Sequence, residues 1–263
     1  MYAFAYERPA SVADALAKIS AGGQALAGGQ TLIASLKQRL AQPESLIDLA
    51  GVAELSGIKK DGNTLVIGAM TKHETVADSA DVKALIPALA ALAGNIGDRQ
   101  VRAMGTLGGS VANNDPAACY PSAVLALGAT VQTNQRSIAA DDFFQGMYTT
   151  ALEAGELITA IHFPAPQKAA YAKFRQPASR FALVGVFVAQ TASGVRVAIT
   201  GAGNGVFRHA GLEAALTKSF TPEAVAAVAI DAGELNADLH ASAAFRAQLI
   251  KVQTQRAVQQ ANG

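Results

Sequence analysis

The spacing of hydrophobic and polar positions changes period repeatedly along this chain. Val12, Leu16 and Ile19 recur at helical spacing behind Ser11 and Asp14, a pair spaced as a capping box, and Gly22-Gly23 stops the helix. Residues 25–27 read as a short buried strand, 28–31 as a sharp glycine turn, 32–40 as a second helix through Leu32, Ile33, Leu36 and Leu40, and 46–49 as a second strand. Helix, strand, turn, helix, strand predicts a small α/β unit over residues 1–55.

Next, residues 58–60 and 64–67 flank Asp61-Gly62-Asn63, a hairpin signal. Thr71 and Glu74 repeat the capping-box spacing. Residues 87–93 predict an Ala/Leu helix that breaks at Gly94-Asn95-Ile96-Gly97, and a second glycine loop follows at 105–110. Residues 122–127 read as a helix and 157–163 as a strand. Pro164-Ala165-Pro166 is the best linker signal in the chain. Beyond it, strands are expected around 171–175, 181–189 and 195–200. The last alternates cleanly, with Val195, Val197 and Ile199 set against Arg196, Ala198 and Thr200. Helices near 208–217, 221–232 and 242–259 complete the chain. The pattern divides as 1–55, 56–165 and 166–263, the last being an α+β domain of antiparallel sheet and helices.

Composition narrows the function. Hydrophobic residues make up 51% and charged residues 16% of the 263 positions, as in a cored globular protein. Twenty-one basic and twenty acidic residues leave a net charge of +1, without the basic excess of a nucleic-acid binder. The single cysteine, Cys119, excludes an internal disulfide and cannot by itself ligate an iron–sulfur cluster or a Cys-rich zinc site. No segment approaches the roughly 18 consecutive apolar residues of a membrane span. The start of the chain lacks the basic-then-apolar order of a signal peptide. A soluble, cytoplasmic protein is expected.

Two glycine segments carry most of the chemical signal: Ala27-Gly28-Gly29-Gln30-Thr31 and Thr106-Leu107-Gly108-Gly109-Ser110. Paired glycines let backbone amides converge on an anion, and Thr31, Thr106 and Ser110 add hydroxyl donors. Two such segments suit the grip of one diphosphate from two sides. They also suit two ordinary tight turns, and spacing alone does not choose. Gly201-Ala202-Gly203-Asn204-Gly205 fails the dinucleotide fingerprint, because Val206 stands where its third glycine belongs, and reads as a structural turn. His73, His162, His209 and His240 show no i, i+4 pairing, so no metal site is expected. No Gly-x-Ser-x-Gly elbow occurs. Arg99, Arg102, Lys173, Arg175 and Arg180 read as solvated cations, with Lys173 set apart by its place in a strand that can face a cofactor.

At these glycine segments the sequence resembles the FAD-binding medium subunits of the molybdenum hydroxylases, the group of xanthine dehydrogenase and aerobic carbon monoxide dehydrogenase. The resemblance rests on Ala27-Gly28-Gly29-Gln30-Thr31-Leu32-Ile33 and on Thr106-Leu107-Gly108-Gly109-Ser110-Val111-Ala112-Asn113-Asn114-Asp115-Pro116. Ile67-Gly68-Ala69-Met70-Thr71-Lys72-His73, Arg99-Gln100-Val101-Arg102, Gly155-Glu156-Leu157-Ile158 and Tyr171-Ala172-Lys173-Phe174 support it in order. It implies an α+β fold: a two-part FAD-binding unit of the vanillyl-alcohol-oxidase type, with a small α/β part and a larger α+β part, followed by the C-terminal domain. By the resemblance, Ala27 to Ala34 would hold the FAD diphosphate, through Ala27, Gly28, Gly29, Gln30, Thr31, Leu32, Ile33 and Ala34. Thr106, Leu107, Gly108, Gly109 and Ser110 would hold the diphosphate and ribityl side. Asn113 and Asp115 follow on the same segment, Ile96 and Ile158 fall at apolar positions near the flavin, and Lys173 at a cofactor-contacting lysine.

One position departs from the family. An acidic residue commonly follows the Asp-Pro motif and bonds the cofactor polyol; here that position is Cys119, and Asn113, Asn114 or water would have to replace the contact. The resemblance also implies an iron–sulfur small subunit and a molybdenum-cofactor large subunit as partners, in a dimer of heterotrimers. A stand-alone flavin oxidase or reductase of the same fold, and a FAD-less assembly subunit, are the alternatives.

Overall fold

The computed structural model describes residues 1–263. Its strands form three main sheets in chain order. The first is a parallel sheet of β1 (Ala5–Glu7), β2 (Gln24–Leu26) and β3 (Ser45–Asp48), with β3 central. The Val12–Ser20 helix crosses between β1 and β2, and Ser11 Oγ accepts from Asp14 N at 3.2 Å, as its spacing predicts. The second helix, Leu32–Lys37, stops short of the expected residue 40, with Arg39 at φ 60°.

The second sheet has the order β4 (Ile58–Asp61), β5 (Thr64–Gly68), β10 (Ile158–Pro164), β6 (Thr130–Thr133), β7 (Ser137–Ala139). Strand β10 lies between two partners that precede it, pairing Ile161 with Ile67 on one side and with Val131 on the other. A small hairpin of β8 (Phe144–Gly146) and β9 (Thr149–Thr150) stands beside it. Thr71 does not cap the helix that follows it. Its hydroxyl instead bonds both Gly57 N and Gly57 O at 3.0 Å, and the His73–Asp78 helix starts without a side-chain cap.

The third sheet runs β11 (Lys168–Arg175), β12 (Ala182–Thr191), β13 (Gly194–Thr200), β14 (Phe207–Arg208), all antiparallel. Both of its faces are covered. Ala170, Val186, Val188, Val197 and Ile199 pack under the Ala243–Asn262 helix and its neighbours. Tyr171, Phe187, Ala189 and Ala198 join the core of the middle unit, where the Pro87–Gly94 and Tyr120–Ala126 helices lie. The expected helix at 221–232 is one short turn, Pro222–Ala226. Val228 and Ile230 then reach the core at a spacing of two, which an extended segment satisfies and a helix does not. The three sheets occupy residues 5–48, 58–164 and 168–208, and on that basis we propose units divided near residues 55 and 165. The fold is α+β. No helix is long and apolar enough to cross a membrane.

Candidate functional site

The second glycine segment is not a loop. Leu107–Asn113 is a helix, with Thr106 as its cap and Gly109 N donating to Thr106 Oγ1 at 3.1 Å. Its other leading amides are also engaged: Leu107 N with Thr71 O, Gly108 N with Ala69 O and Ser110 N with Thr106 O. A Cβ on Gly108 would stand 2.5 Å from Ala69 Cβ, so this glycine lets the helix lie against the end of β5. The helix ends at Asn114, left-handed at φ 43°, whose buried amide donates to Gly146 O (2.7 Å) and Thr149 O (2.8 Å). Asn114 therefore ties down the β8–β9 hairpin and does not line the cavity between the two glycine segments.

The first glycine segment is the opposite case. Backbone amides of Gly28, Gly29, Gln30, Thr31 and Leu32 find no acceptor in the protein. Gly29 adopts φ +70°, which a side chain would strain. Gly28 abuts the carbonyl of Met104 and the Cα of Gly105, where a Cβ would come within 2.6 Å of that Cα. The open amides thus lie against the start of the second segment.

Between them is a cavity of about 650 Å³, within the usual range for a ligand site. Its walls bring together Ala27, Gly28, Gly29, Gln30, Thr31, Leu32, Ile96, Thr106, Gly108, Gly109, Ser110, Asn113, Asp115, Cys119, Ile158 and Lys173. Three sequence candidates lie outside it. Ile33 turns back toward Gly29, Ala34 is exposed on the helix, and Leu107 is fully buried in the core. The cavity also takes in residues the sequence reading missed, notably His73, Val101, Ser179, Arg180 and Phe181. Residues 179–181 arrive from the β11–β12 turn, remote in sequence from both glycine segments, so only tertiary structure could have placed them.

Charge in the cavity is sparse. His73 is buried, its Nδ1 has no partner, and burial with help from Arg102 lowers its pKa to about 4, so it is neutral at pH 7. Glu156 is held to about 2, chiefly by its bonds from Arg136, against the cost of its burial. It also accepts from Thr133 Oγ1 (2.7 Å) and Glu153 N (2.8 Å), which fixes the turn entering β10 and hence Ile158. Lys173 is half-buried rather than solvated, with Nζ 3.5 Å from Cys119 Sγ. Cys119 is 5% exposed and opens the Tyr120–Ala126 helix. Five consecutive free amides, a left-handed glycine among them, facing an apolar cavity fit a diphosphate joined to a flat ring system.

Residues 2–166 match the family model of the FAD binding domain in molybdopterin dehydrogenase. The chain belongs to that family. The carbon monoxide dehydrogenase medium chain of Hydrogenophaga pseudoflava is 36% identical to this family member over 94% of each chain. The nicotine 6-hydroxylase medium subunit of Paenarthrobacter nicotinovorans is 34% identical over 98% of this chain and 97% of its own. Among solved structures, reconstituted CO dehydrogenase from Oligotropha carboxidovorans superposes with a TM-score of 0.89 at 32% identity, covering 99% of this chain and 98% of that one. Quinoline 2-oxidoreductase from Pseudomonas putida 86 gives 0.89 at 29% identity, covering 99% and 97%. Such molybdopterin-dehydrogenase relatives are medium chains of larger enzymes, as their names state.

Proposed function

We propose that this chain is the electron-transfer subunit of a molybdenum hydroxylase, taking electrons from an iron–sulfur subunit and passing them to an external acceptor. Substrate oxidation would fall to a molybdenum-cofactor subunit, the whole being a cytoplasmic dimer of heterotrimers. The run of unpartnered amides from Gly28 to Leu32 carries the reading. In it, these amides hold the FAD diphosphate, and Ser110, Asn113 and Asp115 face the polyol. Ile96 and Ile158 supply apolar wall for the ring, and Lys173 supplies a fixed positive charge. FAD, when bound, supplies reversible redox chemistry that no side chain here offers. The protein contributes orientation, exclusion of water and field. The site has no acid–base pair poised on a substrate: His73 is neutral and Glu156 is spent on Arg136.

The test is reconstitution. Purified chain titrated with FAD should bind one flavin, and Gly29→Val should lose it while circular dichroism stays native. The flavin-loaded chain alone should oxidise no substrate. Turnover of a substrate by the single chain would favour a stand-alone oxidase, and refusal of FAD would favour an assembly subunit.

A further inference from the structure

The mouth of the cavity carries positive charge that is bound into no ion pair. Lys173 Nζ donates to Asn95 O (2.6 Å) and Arg180 O (3.0 Å). Arg175 donates to Asn95 Oδ1 (2.9 Å), and Arg102 to Ile96 O (3.0 Å) and Gly97 O (3.3 Å). Three cationic heads converge on Asn95-Ile96-Gly97, and Ile96 and Gly97 line the cavity together with Arg180. The acceptors they have found are uncharged. None of the four cations takes part in any ion pair of the chain. The carboxylates on adjoining elements make other contacts and no ion pair with these cations: Asp98 caps Val101 N at 2.9 Å, Asp115 on the cavity wall accepts from Ala117 N at 2.8 Å, and Asp238 pairs with Arg246 at 2.7 Å. Arg175, Arg180 and Phe181 are exposed.

Carbonyls solvate a cation without neutralising it. Like charges held this close repel one another, and the chain as a whole is only +1, so the cluster is a local feature and not a general excess. A cleft rimmed by one sign of charge concentrates molecules of the other and speeds their arrival by 10–10³-fold, roughly, at low salt.

We propose that this rim selects a small anionic molecule as the electron acceptor. The inference rests on the electron-transfer reading above. In the step, the fully reduced flavin anion is oxidised, giving up two electrons and one proton. Two equivalents of a one-electron acceptor are each reduced once, and the proton passes to solvent. Arg175 and Arg180 bring the anion to the mouth beside Ile96; the aliphatic wall there leaves the charge unscreened.

The experiment uses the full chain loaded with FAD, its flavin-to-protein ratio measured first. That ratio tests the earlier reading separately. The chain is reduced anaerobically and mixed with ferricyanide, a trianion, or with neutral benzoquinone. In parallel, hexacyanocobaltate(III), a redox-inert trianion, is titrated into the oxidised chain by calorimetry, a readout independent of turnover. Ferricyanide reoxidation should slow roughly tenfold from low to high salt. In the Arg175→Gln, Arg180→Gln double variant it should slow roughly fivefold at low salt, with benzoquinone within about twofold of wild type. Hexacyanocobaltate binding should weaken in parallel. Unchanged ferricyanide rates and anion binding in the variant, or equal slowing of benzoquinone, would overturn the proposal. So would a variant that keeps its ferricyanide rate but no longer assembles with its partner subunits on gel filtration, which would assign the rim to protein docking.

Discussion

A Cβ at residue 28 has nowhere to go. The carbonyl of Met104 and the Cα of Gly105 already occupy its place, and both are backbone. Overpacking of this kind costs about 1–3 kcal/mol. Gly28→Ala should therefore lower the melting temperature by several degrees even without flavin; an unchanged melt with lost FAD binding would show that the glycine serves only the ligand. The sequence offered the same two readings for all four glycines, a grip on an anion or ordinary tight turns. Distances assign them different tasks: Gly28 and Gly108 admit neighbouring backbone, and Gly29 supplies a left-handed bend. Cys119 sharpens in the same way. Its Sγ is 3.5 Å from Lys173 Nζ, on the cavity wall, so Cys119→Asp would meet a cation there. A charge-assisted bond is worth about 1.5–3 kcal/mol before the carboxylate's desolvation. The expected net is roughly fivefold tighter FAD, about 1 kcal/mol, by fluorescence titration. Weaker FAD together with a lower melting point would place the polyol elsewhere.

Elements were legible where hydrophobic period and cap agreed, as at Val12–Ser20 with Ser11. They were misread where tertiary contact overrides propensity. Gly108-Gly109 argues against a helix, yet the Leu107–Asn113 helix forms because Thr106 caps it and Ala69 and Thr71 accept its leading amides. Thr71 looked like a cap and was taken by Gly57, a partner fourteen residues away in the chain. The clean alternation at 195–200 identified two faces of β13 but not what covers them; both are packed. At the far end of the Leu107–Asn113 helix, Asn114 anchors the β8–β9 hairpin through two buried hydrogen bonds. Asn114→Ala loses both and strains a left-handed residue, which should cost about 2–4 kcal/mol. Chemical denaturation measures the loss, and hydrogen exchange should quicken first at residues 144–150. A loss no larger at Asn114→Ala than at an exposed asparagine would remove this anchoring role.

Across the whole molecule, stability should depend on acid through a few buried groups. His73 titrates at about 4 in the fold, against an ordinary 6.5, because burial and Arg102 both oppose its charge. Between those values the unfolded chain binds the proton and the native chain does not. Stability from this group is therefore complete above about pH 6.5 and falls toward pH 4, by on the order of 3 kcal/mol. Burial lowers His209 as well, which acts in the same direction. Glu156, held at about 2 against an ordinary 4.5, adds stability that is complete above about pH 4.5 and is lost as pH falls from there toward 2. Urea midpoints of the flavin-free chain should fall steadily from pH 6.5 to 4.5, and His73→Asn should flatten that slope; an unaltered slope would move the effect to other groups.

The late arrival of β10 between β5 and β6 has a consequence for how the protein is made. A ribosome releases the N-terminal end first, at roughly 5–20 residues per second. Until residue 164 emerges, the middle sheet can form no more than two separate hairpins with open inner edges, and the cavity still lacks Ile158, Lys173 and the turn through Phe181. Flavin can be captured only by a nearly finished chain. A prematurely terminated one presents unpaired strand edges instead, the kind of surface that chaperones and proteases recognise. The topology thereby separates complete subunits from incomplete ones before a cofactor molecule is committed to either.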